Sequence, residues 1–281
     1  MTPGLATHRD LALESAQARV ARLSALPLLD PRLLQVLTQT DVDIQYQQLR
    51  ELLQVDPALA VRVLKVANSA FYGSRSITSI DRALTVLGAV AVAGIALAAR
   101  FDGSIVPACA ESGRFRNLRR HSLLTGVAAK LLAARAARPE WDAEGAFVLG
   151  LLHDLGWLVH LQIERERTLR RVATPPIEDG DRTEHALLSA ALMAHWQLPA
   201  QFIDAVRDHH HQTPAGMASL GSALLAVAEQ CARHGGDQFG VDSRPQDAPL
   251  PLALFRVTEA DLPELGAQCA AHATLLDGLV S

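Results

Sequence analysis

The sequence predicts an all-α protein. In almost every segment of the 281-residue chain, apolar residues recur with the three- and four-residue spacing of a helix face. No Asn-Gly or similar two-residue turn joins two alternating runs, so a β-sheet is not expected. Aromatic residues make up only 4% of the chain. The helices should therefore pack through a core of Leu, Ala and Val.

Capping residues and prolines mark where the predicted helices begin. Asp10 can cap the first helix, Pro31 suits the first turn of the second, and Asp56-Pro57 combines both signals. The last helix begins with a capping sequence at residues 258–261. With the periodicity, these signals predict helices over residues 10–26, from 31 onward, and over 44–55, 58–67, 80–87, 90–101, 115–137, 142–161, 183–196, 200–210, 218–233 and 258–276.

One apolar run without a charge, residues 83–99, is too short and too rich in Ala and Gly for a membrane span, which needs about 20 strongly apolar residues. It predicts one helix that ends near Gly88 and a second, buried helix after it. Residues 1–22 carry charges and lack the apolar segment of a signal peptide. A cytoplasmic protein is therefore expected.

Composition excludes several classes of protein. Hydrophobic residues make up 49% and charged residues 20%, which is typical of a globular chain and excludes disorder of the whole chain. The net charge of −4 argues against a broadly basic nucleic-acid-binding surface. The three cysteines, with no close pair among them, predict buried thiols in a reducing compartment and not a disulfide framework.

The 11 histidines are concentrated after residue 120. Imidazole and carboxylate groups together suit divalent transition metals such as Fe, Mn and Zn. His153 and Asp154 lie in an apolar run, where a buried carboxylate needs a partner. That partner is either a structural, hydrogen-bonded histidine or a metal ion. Adjacent helical side chains diverge by about 100°, so one ion could contact both His153 and Asp154 only from the flank of the helix. His185 can be a surface residue, and His209 to His211 can favour the negative end of a helix dipole.

Several motifs occur in a fixed order along the chain. The upstream ones are DPALAVRVLKVANSAFYG at residues 56–73 and ITSIDRALTVLG at 77–88. The downstream ones are GLLHDLG at 150–156, EHALLSAALMAHWQLP at 184–199 and AVRDHHH at 205–211. Over roughly residues 23–235 the chain resembles the HDOD family, the HD-related output domains of bacterial signalling proteins. That family belongs to the HD superfamily, which includes metal-dependent phosphohydrolases.

The resemblance implies an all-helical domain with two lobes, the first over about residues 23–107 and the second, HD-like lobe over about 114–235. Residues 1–22 would form a helical extension, and residues 236–281 a loop and a C-terminal helix. It also implies a site for a divalent transition metal such as Fe, Mn or Zn. The positions that correspond to metal ligands are His121, His153, Asp154, His185, His209, His210 and Glu229.

Three features depart from the pattern of an active phosphodiesterase. Glu229 stands where Asp is usual, and a longer carboxylate would shift or block an ion. Trp157 follows HDLG where active HD-GYP enzymes resemble HDIGK, so a phosphate-binding lysine is missing. The GYP signature is replaced by Thr-Pro-Pro at residues 174–176. Groups that would bind phosphate are lost while ligand-type residues remain, which favours a binding or vestigial site.

The predicted function is therefore that of a non-catalytic regulatory protein in bacterial signal transduction, acting through protein–protein contacts, and no catalytic residue is assigned. The alternative is a metal-dependent phosphohydrolase acting on a nucleotide or cyclic dinucleotide. The flanking segments, about 22 and 45 residues, are too short for a receiver or kinase domain, so a protein partner bound in trans is expected. Neither a membrane nor a nucleic acid is expected as a partner. The arginine-rich start of the 115–137 helix, beside His121, is either a phosphate- or acid-binding surface or a solvated helix start.

Overall fold

Helices account for most of the chain, as predicted. The computed structural model describes residues 8–21, 31–39, 41–73, 76–100, 113–136, 140–160, 182–213, 216–217, 219–239 and 249–280. The helices are α1 His8–Ala21, α2 Pro31–Thr38, α3 Val42–Val55, α4 Pro57–Ala67, α5 Ile80–Leu87, α6 Ala89–Arg100, α7 Gly113–Ala136, α8 Ala143–Leu152, α9 Arg182–His195, α10 Ala200–Arg207, α11 Leu220–His234 and α12 Leu262–Val280. Two short strands that the sequence did not predict, β1 Gln212–Thr213 and β2 Gly216–Met217, pair antiparallel.

The helix starts follow the capping signals at most positions. Helix α2 begins at Pro31, and the Asp56 side chain accepts a hydrogen bond from the backbone N–H of Leu59 in α4. A capping box between residues 258 and 261 precedes α12. The predicted first helix is present as α1, but Asp10 does not cap it, because the helix begins at His8 and Asp10 lies inside it. Its Leu11 is 54% exposed, and the buried face is formed by residues such as Val20.

The long apolar run forms two helices, which confirms the prediction. Helix α5 ends at Leu87, and Gly88 adopts a φ of 80°, a conformation that favours glycine. Helix α6 starts at the next residue, and most of its side chains are fully buried. Among the described residues, no helix is by itself long and apolar enough to cross a membrane. The pair Ile80–Leu87 and Ala89–Leu97 reaches that length and hydropathy only together, with a bend of 103° between them.

Helix α7 lies at the centre of the C-terminal half and packs against α8, α11 and α12. It approaches α8 closely where Gly126 faces Gly150, since a Cβ atom on Gly150 would lie 2.6 Å from the Gly126 Cα atom. Two glycines thus let the backbones approach more closely than side chains would allow. This close packing sets the distance between the functional residues that α7 and α8 carry.

Two predicted helices end earlier than expected. The predicted helix over 142–161 is interrupted, because α8 ends at Leu152, residues 153–155 form a turn, and residues 156–160 are helical again. The predicted helix over 200–210 ends at Arg207, and the next three residues form a turn. Both interruptions fall at histidines of the predicted site. In each case the polar side chains turn towards a shared interior instead of continuing a helix face.

The remaining helices pack around this half of the molecule. Helices α2 to α6 contact one another, and α6 also contacts α8. The segment after α4 is held by Asn68, whose side chain bonds the backbone of Ile77 in both directions. Helix α1 packs on α9, with an ion pair between Arg19 and Glu184, and α12 contacts α4, α6, α7 and α11. The predicted domain boundaries stay predictions.

Two of the three cysteines are described. Cys231 and Cys269 are buried free thiols, as predicted, and burial raises the pKa of each to about 12. Cys109 and the replaced signature at residues 174–176 lie outside the described residues.

Candidate metal centre

The seven residues of the predicted ligand set lie together in one buried cluster. They come from five places in the chain, so no local pattern could bring them together. Six of them are buried and His210 is half-buried. Helix α7 contributes His121, the turn after α8 contributes His153 and Asp154, α9 contributes His185, the turn after α10 contributes His209 and His210, and α11 contributes Glu229.

The cluster divides into two groups that we call half-sites. In the first half-site, ligand atoms of Asp154, His185, His209 and His210 lie within 4.8 Å of one another. In the second half-site the same holds for His121, His153 and Glu229. Each half-site offers imidazole nitrogens and a carboxylate, the donor set that suits Fe, Mn or Zn.

Asp154 joins the two half-sites. Its Oδ1 atom lies 3.3 Å from His185 Nε2, while its Oδ2 atom lies 3.2 Å from His121 Nε2. Glu229 also lies between them, with Oε1 at 3.5 Å from the Nε2 atoms of both His153 and His209. A carboxylate with one oxygen towards each group can bridge two cations.

The turn at residues 153–155 explains how two adjacent side chains reach one site. Backbone hydrogen bonds of the i to i−3 type follow α8, including the one from Trp157 N–H to the Asp154 carbonyl. Because the α-helix has ended, His153 and Asp154 need not diverge as they would on a continuous helix. The His153 Nε2 and Asp154 Oδ1 atoms lie 3.5 Å apart.

Backbone carbonyls orient two of the imidazole rings. His153 Nδ1 lies 2.7 Å from the Gly150 carbonyl oxygen, and His209 Nδ1 lies 2.5 Å from that of Val206. In each ring Nδ1–H donates to the carbonyl, so the opposite nitrogen, Nε2, carries a lone pair that faces the cluster. This arrangement is typical of histidines that bind metal ions.

Two pairs of imidazole nitrogens face each other inside the cluster. His121 Nε2 lies 3.0 Å from His153 Nε2, and His185 Nε2 lies 3.0 Å from His210 Nε2. Two imidazole lone pairs repel each other at this distance. Each pair therefore requires either a proton on one nitrogen or a cation that both nitrogens face.

Burial and charge set the protonation of the cluster. Burial lowers the pKa of His121, but hydrogen bonds to Asp154 and Asp237 outweigh it and raise that pKa to about 10. Burial lowers the pKa of His209 to about 4. Burial would raise the pKa of Asp154 and of Glu229, but nearby histidines hold both below their usual values. Ionised carboxylates and neutral imidazoles are the forms in which such groups bind metal ions, so an ion that binds His121 must displace a proton from it.

The residues present fit a metal ion. The Asp154 Oδ1 and His209 Nε2 atoms are buried without a hydrogen-bond partner, and leaving such atoms unsatisfied is costly. Ligand atoms at about 2.0–2.1 Å from a tetrahedral ion lie roughly 3.3 Å apart. The separations of 3.0–3.7 Å measured across the cluster match that value.

Aromatic rings cover both half-sites. The indole of Trp157 stacks on His185, with centroids 5.0 Å apart and an interplanar angle of 19°. The ring of Phe239 lies 5.4 Å from His121 and packs edge-on against Trp157 at 5.8 Å. The position of the missing lysine is therefore filled by an indole that contacts a ligand residue directly. We call Trp157 and Phe239 the aromatic roof.

Sequence reasoning missed Asp237, whose Oδ2 atom lies 2.7 Å from His121 Nδ1. It follows α11 in a segment predicted only as a loop, and its carboxylate is 3% exposed. A lone aspartate next to two glycines carries no spacing signal, so only the folded chain could identify it. Phe239 was missed for the same reason.

The arginine-rich start of α7 is partly paired and partly exposed, and both interpretations of it stay predictions. Arg119 forms an ion pair with Asp277 of α12, and Arg116 and Arg120 are exposed. A cleft extends from Arg119 to Asp154. Apart from those two residues and a serine its lining is apolar: Phe115, Leu118, Leu155 and Leu158.

Comparisons with known proteins place this cluster in a familiar fold. The sequence profile of the HDOD domain matches residues 23–212, more than half of the chain. A crystal structure of an HDOD domain protein of unknown function from Geobacter sulfurreducens superposes with a TM-score of 0.66 at 22% identity, covering 96% of this chain and 97% of that one. A proposed phosphohydrolase from Shewanella amazonensis superposes with a TM-score of 0.63 at 19% identity, covering 96% and 98%.

Two further relatives are longer than this chain. A proposed signal transduction protein from Marinobacter aquaeolei superposes with a TM-score of 0.66 at 19% identity, covering 97% of this chain and 65% of that one. An uncharacterized protein of Treponema pallidum is 25% identical over 219 residues, which are 72% of this chain and 42% of the relative. The chain thus spans less than half the length of that relative.

Proposed function

The chain belongs to the HDOD family, and we propose that it is a regulatory protein of bacterial signal transduction that acts through contacts with a partner protein in trans. In this proposal the buried cluster holds divalent transition-metal ions that stabilise and regulate the fold, and it does not turn over a substrate. The Marinobacter relative, a proposed signal transduction protein, supports this class of function.

The observation that carries the proposal is the aromatic roof. An active site for phosphate transfer needs an open ligand position on the metal and cationic groups that meet the phosphate. Here Trp157 stacks on His185, and Phe239 packs on His121, so rings lie against a ligand of each half-site. A metal ion held by this cluster would therefore have aromatic rings, and not a phosphate-binding lysine, on the side of Trp157.

The carboxylates and the histidines would have different roles in binding two metal ions. Asp154 and Glu229 supply negative charge to both half-sites, and the carbonyl-bound His153 and His209 present their Nε2 atoms at fixed angles. A bound ion supplies positive charge that replaces the shared protons between facing imidazoles.

One observation favours the alternative, a metal-dependent phosphohydrolase. All seven ligand-type residues are present and converge, and an ion in such a site can activate water. The Shewanella relative is a proposed phosphohydrolase. The two functions differ in whether a phosphodiester can reach the ions, which an experiment can decide.

The test is metal content combined with turnover. The chain is purified without a His tag, its metal is measured by mass spectrometry, and hydrolysis of cyclic di-GMP and of bis(p-nitrophenyl) phosphate is followed with Mn²⁺ or Fe²⁺ added. His153→Ala and Asp154→Ala remove ligands, while His211→Ala changes an exposed neighbour and serves as the control. We expect bound metal in the wild type and in the control, less metal in both ligand variants, and no turnover in any of them.

Two results would contradict the proposal. Turnover by the wild type that both ligand substitutions abolish would establish the phosphohydrolase instead. Absence of metal from the wild type, even after incubation with Mn²⁺, Fe²⁺ and Zn²⁺, would contradict the proposal that the cluster holds metal ions.

A further inference from the structure

The segment after α11 leads back onto the cluster. Helix α11 ends at His234, and Gly236 has a φ of 84°, which reverses the chain direction. The backbone N–H of Asp237 then donates to the Ala232 carbonyl over 3.1 Å, which fixes the residue beside the helix end. The Asp237 side chain consequently points from outside the ligand set towards His121.

The contact between Asp237 and His121 has the geometry of a supporting hydrogen bond. His121 Nδ1–H donates to Asp237 Oδ2 over 2.7 Å, while His121 Nε2 faces His153 and Asp154 on the other side of the ring. The other carboxylate oxygen of Asp237, Oδ1, accepts a hydrogen bond from the Phe239 backbone N–H over 3.3 Å. Both carboxylate oxygens therefore have partners, and the imidazole ring of His121 is held from behind.

We infer that Asp237 is a positioning residue of the metal centre, which fixes the tautomer and orientation of His121 and increases the electron density at its Nε2 atom. A carboxylate on the far nitrogen of a ligand imidazole makes that imidazole a stronger donor to the ion. The inference rests on the metal assigned to the cluster in the proposed function. Asp237 lies beyond residues 23–212, so the region that matches the HDOD profile does not contain it.

The same segment links the centre to the C-terminal helix. Phe239, two residues after Asp237, forms half of the aromatic roof. The backbone around Gly235 packs tightly on α12, since a Cβ atom on Gly266 would lie 2.7 Å from the Gly235 nitrogen. One short segment thus contacts a ligand, the roof and α12 together.

Asn and Ala substitutions at residue 237 distinguish the effect of the carboxylate charge on metal binding from the effect of the hydrogen bond. Asp237→Asn keeps an oxygen acceptor but removes the charge, and Asp237→Ala removes both. Asp43→Asn, on the exposed part of α3, is the matched control. Affinity for Mn²⁺ is measured by competition with a chelator, and Co²⁺ loading reports the ligand field of His121 through its visible absorption spectrum. Circular dichroism and thermal unfolding establish that each variant is folded.

We expect Asp237→Asn to weaken metal binding about 10- to 100-fold, the usual cost of losing such a supporting group, and Asp237→Ala to weaken it more. The Co²⁺ spectrum should shift in both variants and stay unchanged in the control. A folded Asp237→Asn variant with wild-type affinity and an unshifted spectrum would overturn the inference.

A measurement on the wild type alone covers the case in which neither variant folds. Amide hydrogen exchange of residues 237–239 should slow when Mn²⁺ is added, because a cation on Nε2 makes the Nδ1–H a stronger donor to Asp237. Unchanged exchange in a chain that has bound Mn²⁺ would overturn the inference. A wild type that binds no metal would instead contradict metal binding by the cluster. Failure of the proposed function and failure of the inference about Asp237 are therefore distinguishable.

Discussion

At the scale of single residues, Asp154 is the group on which the cluster depends most. Its carboxylate contacts four histidines, and with Glu229 it is one of two acidic residues that lie between the half-sites. Isolated buried charge is costly, so this carboxylate needs its cationic surroundings, whether protons or metal ions. His210, in contrast, belongs to the first half-site and is half-buried.

This difference predicts unequal effects on metal stoichiometry. Asp154→Ala should lower the content of both half-sites and leave less than about a tenth of the wild-type metal, because a shared ligand is lost. His210→Ala should leave more metal than Asp154→Ala does, since three ligands then remain in each half-site. Metal per chain, measured by mass spectrometry after dialysis, checks both. Equal losses in the two variants would contradict a bridging role for Asp154.

At the scale of secondary-structure elements, the site depends on where helices stop. Helix α8 ends immediately before His153, and α10 ends before His209, so each histidine lies in a turn. The helical residues 156–160 then pack directly on α9, and the Gly156 N–H donates to Ser189 Oγ over 2.7 Å. This contact positions α9, which carries His185.

Gly156 is therefore predicted to be intolerant of a side chain. A Cβ atom there would lie 2.0 Å from the His185 carbonyl oxygen, a clash with backbone that no rotamer change relieves. Gly156→Ala should destabilise the fold by about 1–3 kcal/mol and displace His185. Urea unfolding measures the first effect and Co²⁺ absorption the second.

Gly145→Ala in α8 is the matched control. Its Cβ atom would lie 3.5 Å from the nearest Asp142 atom, an ordinary contact, and alanine favours a helix by about 0.5–1 kcal/mol over glycine. Wild-type stability in Gly156→Ala would contradict the close packing of residues 156–160 on α9.

At the scale of the whole molecule, the N-terminal helices are joined to the helices that carry the site by a small polar network. Lys130 of α7 donates to Glu144 Oε1 over 2.6 Å, and Tyr72 of the N-terminal half donates to Glu144 Oε2 over 3.3 Å. The Lys130 ammonium also lies 4.0 Å from the centroid of the Tyr72 ring. Burial raises the pKa of Tyr72 and lowers that of Lys130.

Glu144→Gln should therefore lower the free energy of unfolding by about 1.5–3 kcal/mol, because it removes the charge that satisfies a largely buried ammonium. Arg50→Gln is the control, since its pair with Asp81 is exposed and should contribute at most about 1 kcal/mol. Urea unfolding of both variants checks the prediction. Equal losses of unfolding free energy in the two variants would show that burial of the network does not add to stability.

Much of this architecture can be predicted from the sequence because helix signals are local. Each signal determines a helix start or end within one turn of the chain. The examples are Pro31, Asp56, Gly88 and the capping pair at residues 258 and 261. The exception has the same explanation. The end of α8 inside a strongly apolar run follows from distant packing that no local pattern reports.

The sequence by itself determined the helical fold, the family and the identity of the seven ligand-type residues, because these depend on residue type and order. Only the tertiary structure decided that the seven converge, that Trp157 lies over His185, and that Asp237 supports His121. The physical reason is distance along the chain. These contacts join residues 28 to 116 positions apart, and only the packing of the helices brings them into contact.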